Sequence, residues 1–224
     1  MKRKLLISLL IVLFSACSFN TIKGDGNIVE KNIDSVNLEK ITEISASGAF
    51  DIVVNIASSS SLKVITDKNL LKYIQLKISG NKLKISSTEN IDPSDEVKII
   101  LTLPHLTYVD LSGANDLSIN NLNEKNFSVD CSGSSSILLN GKVENFSADI
   151  SGSADLNSLK LKAKNVTLDI SGAGDAKVYA DGVLRVSASG AADVEYAGNP
   201  ELVNSDISGA GSVEKYYEKK KKEK

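Results

Sequence analysis

"DISGAGDAKVYADG", residues 169–182, admits two opposite readings. Glycines at that density after a hydrophobic run can cradle a phosphate, and Asp175 beside them can hold a metal or act as a base. The rest of the chain decides between site and punctuation. The same octet recurs as "DLSGANDL" (110–117), "DCSGSSSI" (130–137), "DISGSADL" (149–156), "SASGAADV" (187–194) and "DISGAGSV" (206–213). Its glycines, Gly113, Gly133, Gly152, Gly172, Gly190 and Gly209, return about every 19 residues, the mark of a stacked repeat architecture. A phosphate loop opens a helix and is used once. These copies each lead into strand-like residues, so they read as corners, with Gly supplying the tight turn. Gly48, in the earlier "SASGAF" (45–50), is placed with them.

Aligned on the Ser of each Ser-Gly pair, the copies become columns. One residue before Ser stand Leu111, Cys131, Ile150, Ile170, Ala188 and Ile207. Three before stand Val109, Val129, Ala148, Leu168, Val186 and Ser205; five before stand Thr107, Phe127, Phe146, Val166, Leu184 and Val203. The positions between are polar apart from Tyr108, and this period of two describes a half-buried strand. Leu117, Ile137, Leu156, Ala176, Val194 and Val213 continue the pattern past the corner. Each unit is therefore strand, corner, strand and polar turn. An antiparallel meander would pair each strand with a different neighbour. A parallel β-solenoid of about 19–20-residue coils instead sets each column on its own copy, roughly 4.8 Å away. The expected fold is all-β: such a solenoid over 104–214, within one domain spanning 30–214. Residues 30–103 form an irregular β-rich part that starts and covers the stack, with a helical turn admitted only at "DKNLLKYI" (67–74).

The N-terminus has a separate logic. Lys2, Arg3 and Lys4 precede an apolar run, Leu5 to Phe14, and then Ser15-Ala16-Cys17. That run is too short to span a bilayer, and its small residues before a Cys describe a lipoprotein signal, residues 1–16. Cys17 would become the acylated N-terminus, and residues 17–29 a short tether. Losing the three basic residues takes the formal charge from −2 to −5, which argues against a nucleic-acid partner. Cys131 is then left without a second cysteine, so an internal disulfide is excluded. The end "YYEKKKKEK" (216–224) reads as a solvated tail.

Acidic columns are the sharpest chemical feature. Asp110, Asp130, Asp149, Asp169 and Asp206 share one outward column; Asp116, Asp155, Asp175 and Asp193 share another. Like charges at strand spacing repel by about 1 kcal/mol per pair at water-like screening. Either the carboxylates accept hydrogen bonds from corner amides and Ser hydroxyls, or they line up oxygen ligands for Ca²⁺. Cys131 falls in an apolar column and reads as a buried small hydrophobe. His105 is the single histidine and lies beside Pro104 outside the repeat; with no second His and no Cys partner, neither a His-based triad nor a zinc site is expected. Asn126, Asn145 and Asn165 each begin an Asn-x-Ser/Thr triplet, but at the repeat period they read as turn residues before a strand.

Taken together, "GDGNIVE" (24–30), "ISASGAFDIVVN" (44–55), "DKNLLKYIQLKISGNKLKI" (67–85) and the repeated Ser-Gly units resemble the bacterial family called the putative auto-transporter adhesin head GIN domain. The resemblance covers roughly residues 24–214. It implies a secreted or lipid-anchored protein of Bacteroidota envelopes, rich in parallel β-helix, and it supplies no catalytic residues. The expected function is a non-catalytic envelope lipoprotein, needing no cofactor, whose head offers a rigid face to a protein or glycan while its lipid holds the outer membrane. Two alternatives stand beside it: a periplasmic scaffold or envelope-stress component, and a polysaccharide-active enzyme on the same fold. Against the enzyme stand short turns, the absence of Trp, and Arg185 as the only arginine after the signal.

Overall fold

The structure is a computed structural model and describes residues 21–34 and 37–217. The signal segment, Cys17 and the end of the Lys-rich tail lie outside the described residues. The fold is all-β. Strands β1 (Ile22–Lys23), β2 (Ile28–Asn32), β3 (Glu43–Gly48), β4 (Asp51–Ile56) and β5 (Ser61–Asp67) precede a single 3-10 turn, Leu71–Tyr73. Strands β6 (Ile74–Ser79), β7 (Lys82–Ser87), β8 (Ile91–Asp92) and β9 (Lys98–Leu103) follow. The repeats then form β10 (Tyr108–Ala173), β11 (Ala176–Ala197) and β12 (Leu202–Lys215), ladders that run unbroken through their corners.

Neighbouring repeats pair in parallel. Leu168 lies beside Val186, Gly172 beside Gly190 and Gly190 beside Gly209, so residues of one column are hydrogen-bonded neighbours. Column chemistry explains why the register holds. A shift of one residue would turn every apolar side chain of the strand outward.

Below Tyr108 the stack departs from sequence order. Tyr108–Gly113 pair in parallel with β3, and Asp116–Asn120 with β4, residues 65 positions earlier. On their other side, β3 pairs with β7 and β4 with β9, again in parallel. The segment between β4 and β10 is thus an excursion. It lays two strands beneath β3 and β4 and then climbs past them to begin β10. Antiparallel strands complete that end: β6 covers β7 through the Gly80-Asn81 turn, β5 covers β9, and β2 covers β5. Residues 22–29, assigned from sequence to a free tether, are held against the body instead. β1 pairs with β8, and the amide of Gly26 donates to the buried Asp67 carboxylate at 2.7 Å.

Inside, the columns form one continuous core, with Val109, Leu111, Ile119, Val129, Leu139, Leu168 and Val178 fully enclosed. Phe127 and Phe146 stack one repeat apart, ring centroids 6.1 Å apart and planes 13° from parallel. Such a pair adds about 0.5–1.5 kcal/mol to the area it buries. A further inward column, just past the corner, was hidden in the sequence by its changing chemistry: Phe50, Asn115, Ser135, Ala154, Gly174 and Ala192. Its larger side chains lie at the N-terminal end. Further along the chain, a Cβ on Gly174 would run into the Ala154 carbonyl, so the backbone there leaves no room for a side chain.

Candidate functional site

Strand alternation that buries one column must expose the next, and the arm before each corner carries three outward columns. The first is Tyr108, Ser128, Ser147, Thr167 and Arg185; the second Asp110, Asp130, Asp149, Asp169, Ser187 and Asp206; the third is the Ser of each corner. The pairings Thr167–Arg185, Asp169–Ser187 and Ser187–Asp206 show how the columns are built. At its N-terminal end this face is tied up by its own hydrogen bonds. The Ser45 hydroxyl donates to Asp110 at 2.9 Å, and the Tyr108 hydroxyl to Asp130 at 2.6 Å. Burial, then that bond to Asp130, pushes the Tyr108 phenol well above its usual range, so it stays a donor. Further along, Asp149, Asp169 and Asp206 have no side-chain hydrogen bond or ion pair among the described residues. The expected network of corner hydrogen bonds does not reach them.

The second acidic column, past the corner, behaves similarly. Asp51 pairs with Lys98 at 2.7 Å and Asp193 accepts from the Ser212 hydroxyl at 2.9 Å. Asp116, Asp155 and Asp175 take no partner of that kind among the described residues. No group of three or more His, Cys, Asp or Glu among the described residues is placed to hold a metal ion.

The corner glycines are built for stacking. Gly48, Gly113, Gly133, Gly152, Gly172, Gly190 and Gly209 all have φ between 98° and 141°. A Cβ on Gly113 would strike the carbonyl oxygen of Gly48, and from Gly133 onward a Cβ on each would strike that of the glycine one repeat back. Strand residues, with no helix N-terminus, follow them. Cys131 is buried, and that burial pushes its thiol up, away from the reactive thiolate. His105 touches Glu124 at 2.9 Å on the surface.

At the entry to each arm, the asparagines do more than turn the chain. Asn145 donates its side-chain amide to Asn126 at 2.8 Å, Asn165 donates to Asn145 at 2.9 Å, and the Val183 amide donates to Asn165 at 3.2 Å. The recurrence of Asn at 126, 145 and 165 was the available signal for this ladder. It forms the floor edge of a groove of about 720 Å³, lined also by Ser128, Ser147, Thr167 and Arg185. A shallower depression of about 580 Å³ continues from Thr167 and Arg185 to Asn204 and Asp206. The result is a polar trough along the stack, with Arg185 common to both parts and free carboxylates beside it. Its chemistry is that of repeated hydrogen bonding: hydroxyls, amides and carboxylates at strand spacing, facing solvent.

Comparison with known proteins fits this architecture. A family model described as "Putative auto-transporter adhesin, head GIN domain" matches residues 40–200. The crystal structure of a putative adhesin from Bacteroides fragilis superposes with a TM-score of 0.70 at 17% identity, covering 87% of this chain and 100% of that one. At that identity the likeness shows a shared fold. A putative adhesin from Parabacteroides merdae aligns at 16% identity over 88% of this chain and 99% of its own, with a TM-score of 0.49. A protein from Parabacteroides distasonis described as a putative lipid binding protein aligns at 20% identity over 88% and 100%, also at 0.49. No curated protein matches the chain. Among the described residues no helix is long and apolar enough to cross a membrane.

Proposed function

Because the chain belongs to the putative auto-transporter adhesin, head GIN domain family, we propose that it is a non-catalytic, adhesin-like envelope lipoprotein, anchored through Cys17. Its stacked repeats act as the coils of a β-solenoid head, and the polar face before the corners receives a protein or glycan ligand. One observation carries the reading. Asp169 and Asp206 line a trough rich in hydroxyls, Asp149 stands next in their column, and the fold uses none of the three side chains for a hydrogen bond or ion pair among the described residues. Carboxylates repel one another at strand spacing, and a bound partner with matching donors would offset that cost.

The test has two parts. Protease added to intact cells, with lysed cells as control, is expected to remove the head from outside. Protection until lysis would place the head in the periplasm and put the scaffold reading in front. On a panel of immobilised glycans and host-surface proteins, S147K/T167K is expected to lose capture while its melting temperature stays within about 2 °C of the parent, as surface changes do.

A further inference from the structure

We infer that the C-terminal end of the stack is a self-association surface whose partner is a second copy of this chain, related by a two-fold axis through the Gly209 corner. β12 pairs with β11 on one side only among the described residues, which leaves a 14-residue edge of backbone donors and acceptors bare. The end of the core is bare with it. Val203 is 38% exposed, and Ile207 and Val213 are half-buried, whereas Leu184, Ala188 and Val194, one repeat earlier in the same columns, are buried.

The opposite end of the molecule does not offer a matching seat. There β6 and β5 cover β7 and β9 in antiparallel fashion and the outer edges belong to β6 and β2, two separate strands, so head-to-tail stacking of the continuous β12 corner would meet a differently built surface. Two bare ends meeting face to face is the arrangement left, and it closes as a dimer rather than running on as a filament. Residues 218–224, "EKKKKEK", hold no apolar group with which to cover Val203, Ile207 and Val213.

Register supports the pairing. Setting the Gly209 corners together lays residues 202–208 antiparallel to residues 210–216 of the second copy. Ile207 then faces the partner's Gly211, and Ser205 faces the partner's Val213, so inward positions meet inward positions. Outside, Asp206 faces the partner's Ser212, and Asn204 faces the partner's Glu214. No two like charges stand opposite each other, as stable antiparallel pairs require. Moving the centre one residue on, to Ala210, would bring Asp206 against the partner's Glu214 as well as misaligning the corners.

The experiment uses the full chain in its own cell envelope. Opposed residues of an antiparallel pair hold their Cβ atoms about 4.5–5.5 Å apart, close enough for a disulfide after a small shift. The double variant D206C/S212C, treated with a mild oxidant, is expected to run mostly at twice the monomer mass on a non-reducing gel. The single variants D206C and S212C are expected to stay monomeric, since neither residue faces its own copy. Both positions are at the surface, and maleimide labelling checks that both thiols are reachable. Absence of the dimer band despite labelling overturns the inference. So does an equal dimer band from either single variant, or a covalent product at some other mass, which would mean that a different protein occupies the edge.

Discussion

Gly152 and Gly26 both have positive φ, 129° and 75°, yet they do different work. A Cβ on Gly152 would strike the Gly133 carbonyl, whereas one on Gly26 would meet nothing within 4 Å. Gly26→Ala therefore loses only the ease of a left-handed residue, about 1 kcal/mol. Gly152→Ala adds a backbone collision to strain of about 1–3 kcal/mol, and it can relieve the clash only by prising two repeats apart. Chemical denaturation of the two variants should rank Gly152→Ala well below Gly26→Ala; equal midpoints would mean the corners are less tightly packed than their geometry states. Asp67 makes the complementary point about charge. The Ser94 hydroxyl, at 2.7 Å, is the main cause that holds its carboxyl below the ordinary carboxylate range, and the Ser94 and Gly26 amides add to it. A lowered folded-state value means that these bonds stabilise above the unfolded carboxylate's range and are lost as pH falls through the folded value. The protection of the Gly26 and Ser94 amides, taken relative to intrinsic exchange at each pH, should thus fall in acid below the usual Asp range. In D67N that protection should already be low at neutral pH and nearly independent of acidification over the same window.

Between single residues and the whole stack lies the asparagine ladder. Asn145 is its middle member, giving one hydrogen bond and receiving another, so Asn145→Ala removes both and orphans its neighbours. At about 1 kcal/mol net for each bond, the expected cost is roughly 1–2 kcal/mol, or a fall of some degrees in melting temperature. Cost-free substitution would show the ladder to be ornamental. Sequence made part of this element scale legible and hid the rest, for definite reasons. Alternation in the repeats exposed the strands because one face is uniformly apolar, and the octets exposed the corners because only small residues fit there. Asn126, Asn145 and Asn165 were visible as a recurrence, but their mutual bonding was not, since a turn and a ladder ask for the same residue. The inward column from Phe50 to Ala192 escaped notice because its members share a direction and no chemistry. Asp67 escaped too: its partners, Gly26 and Ser94, are distant in sequence and belong to no repeat. As for the trough, the acids were legible, but which of them the fold would leave free was not. That depended on Ser45 and Tyr108 reaching Asp110 and Asp130.

On the scale of the molecule, period alone suggests that the stack follows chain order, and here it does not. The stretch from β4 to β10 interrupts the count, so β3 and β4 take their places beneath β10 from 65 residues away. The consequence is an asymmetry of stability. In a stack of repeats each layer is held by its immediate neighbours, so opening propagates from whichever end is less well covered. The N-terminal end carries β6, β5 and β2 as outer strands, and long-range pairings of β3 and β4 lock it on both sides. The C-terminal end rests on the single ladder between β11 and β12, and its inward residues are already part-exposed. Native-state hydrogen exchange on dilute protein should therefore show a gradient. Protection should be least along 202–215, greater along 176–197, and greatest where β3 and β4 pair with β10. A flat profile would mean that the head opens as one cooperative unit. A two-fold pairing of β12 adds a second signature: its protection should rise with protein concentration while that of β3 and β4 stays constant, because only the bare edge gains neighbours when two copies meet.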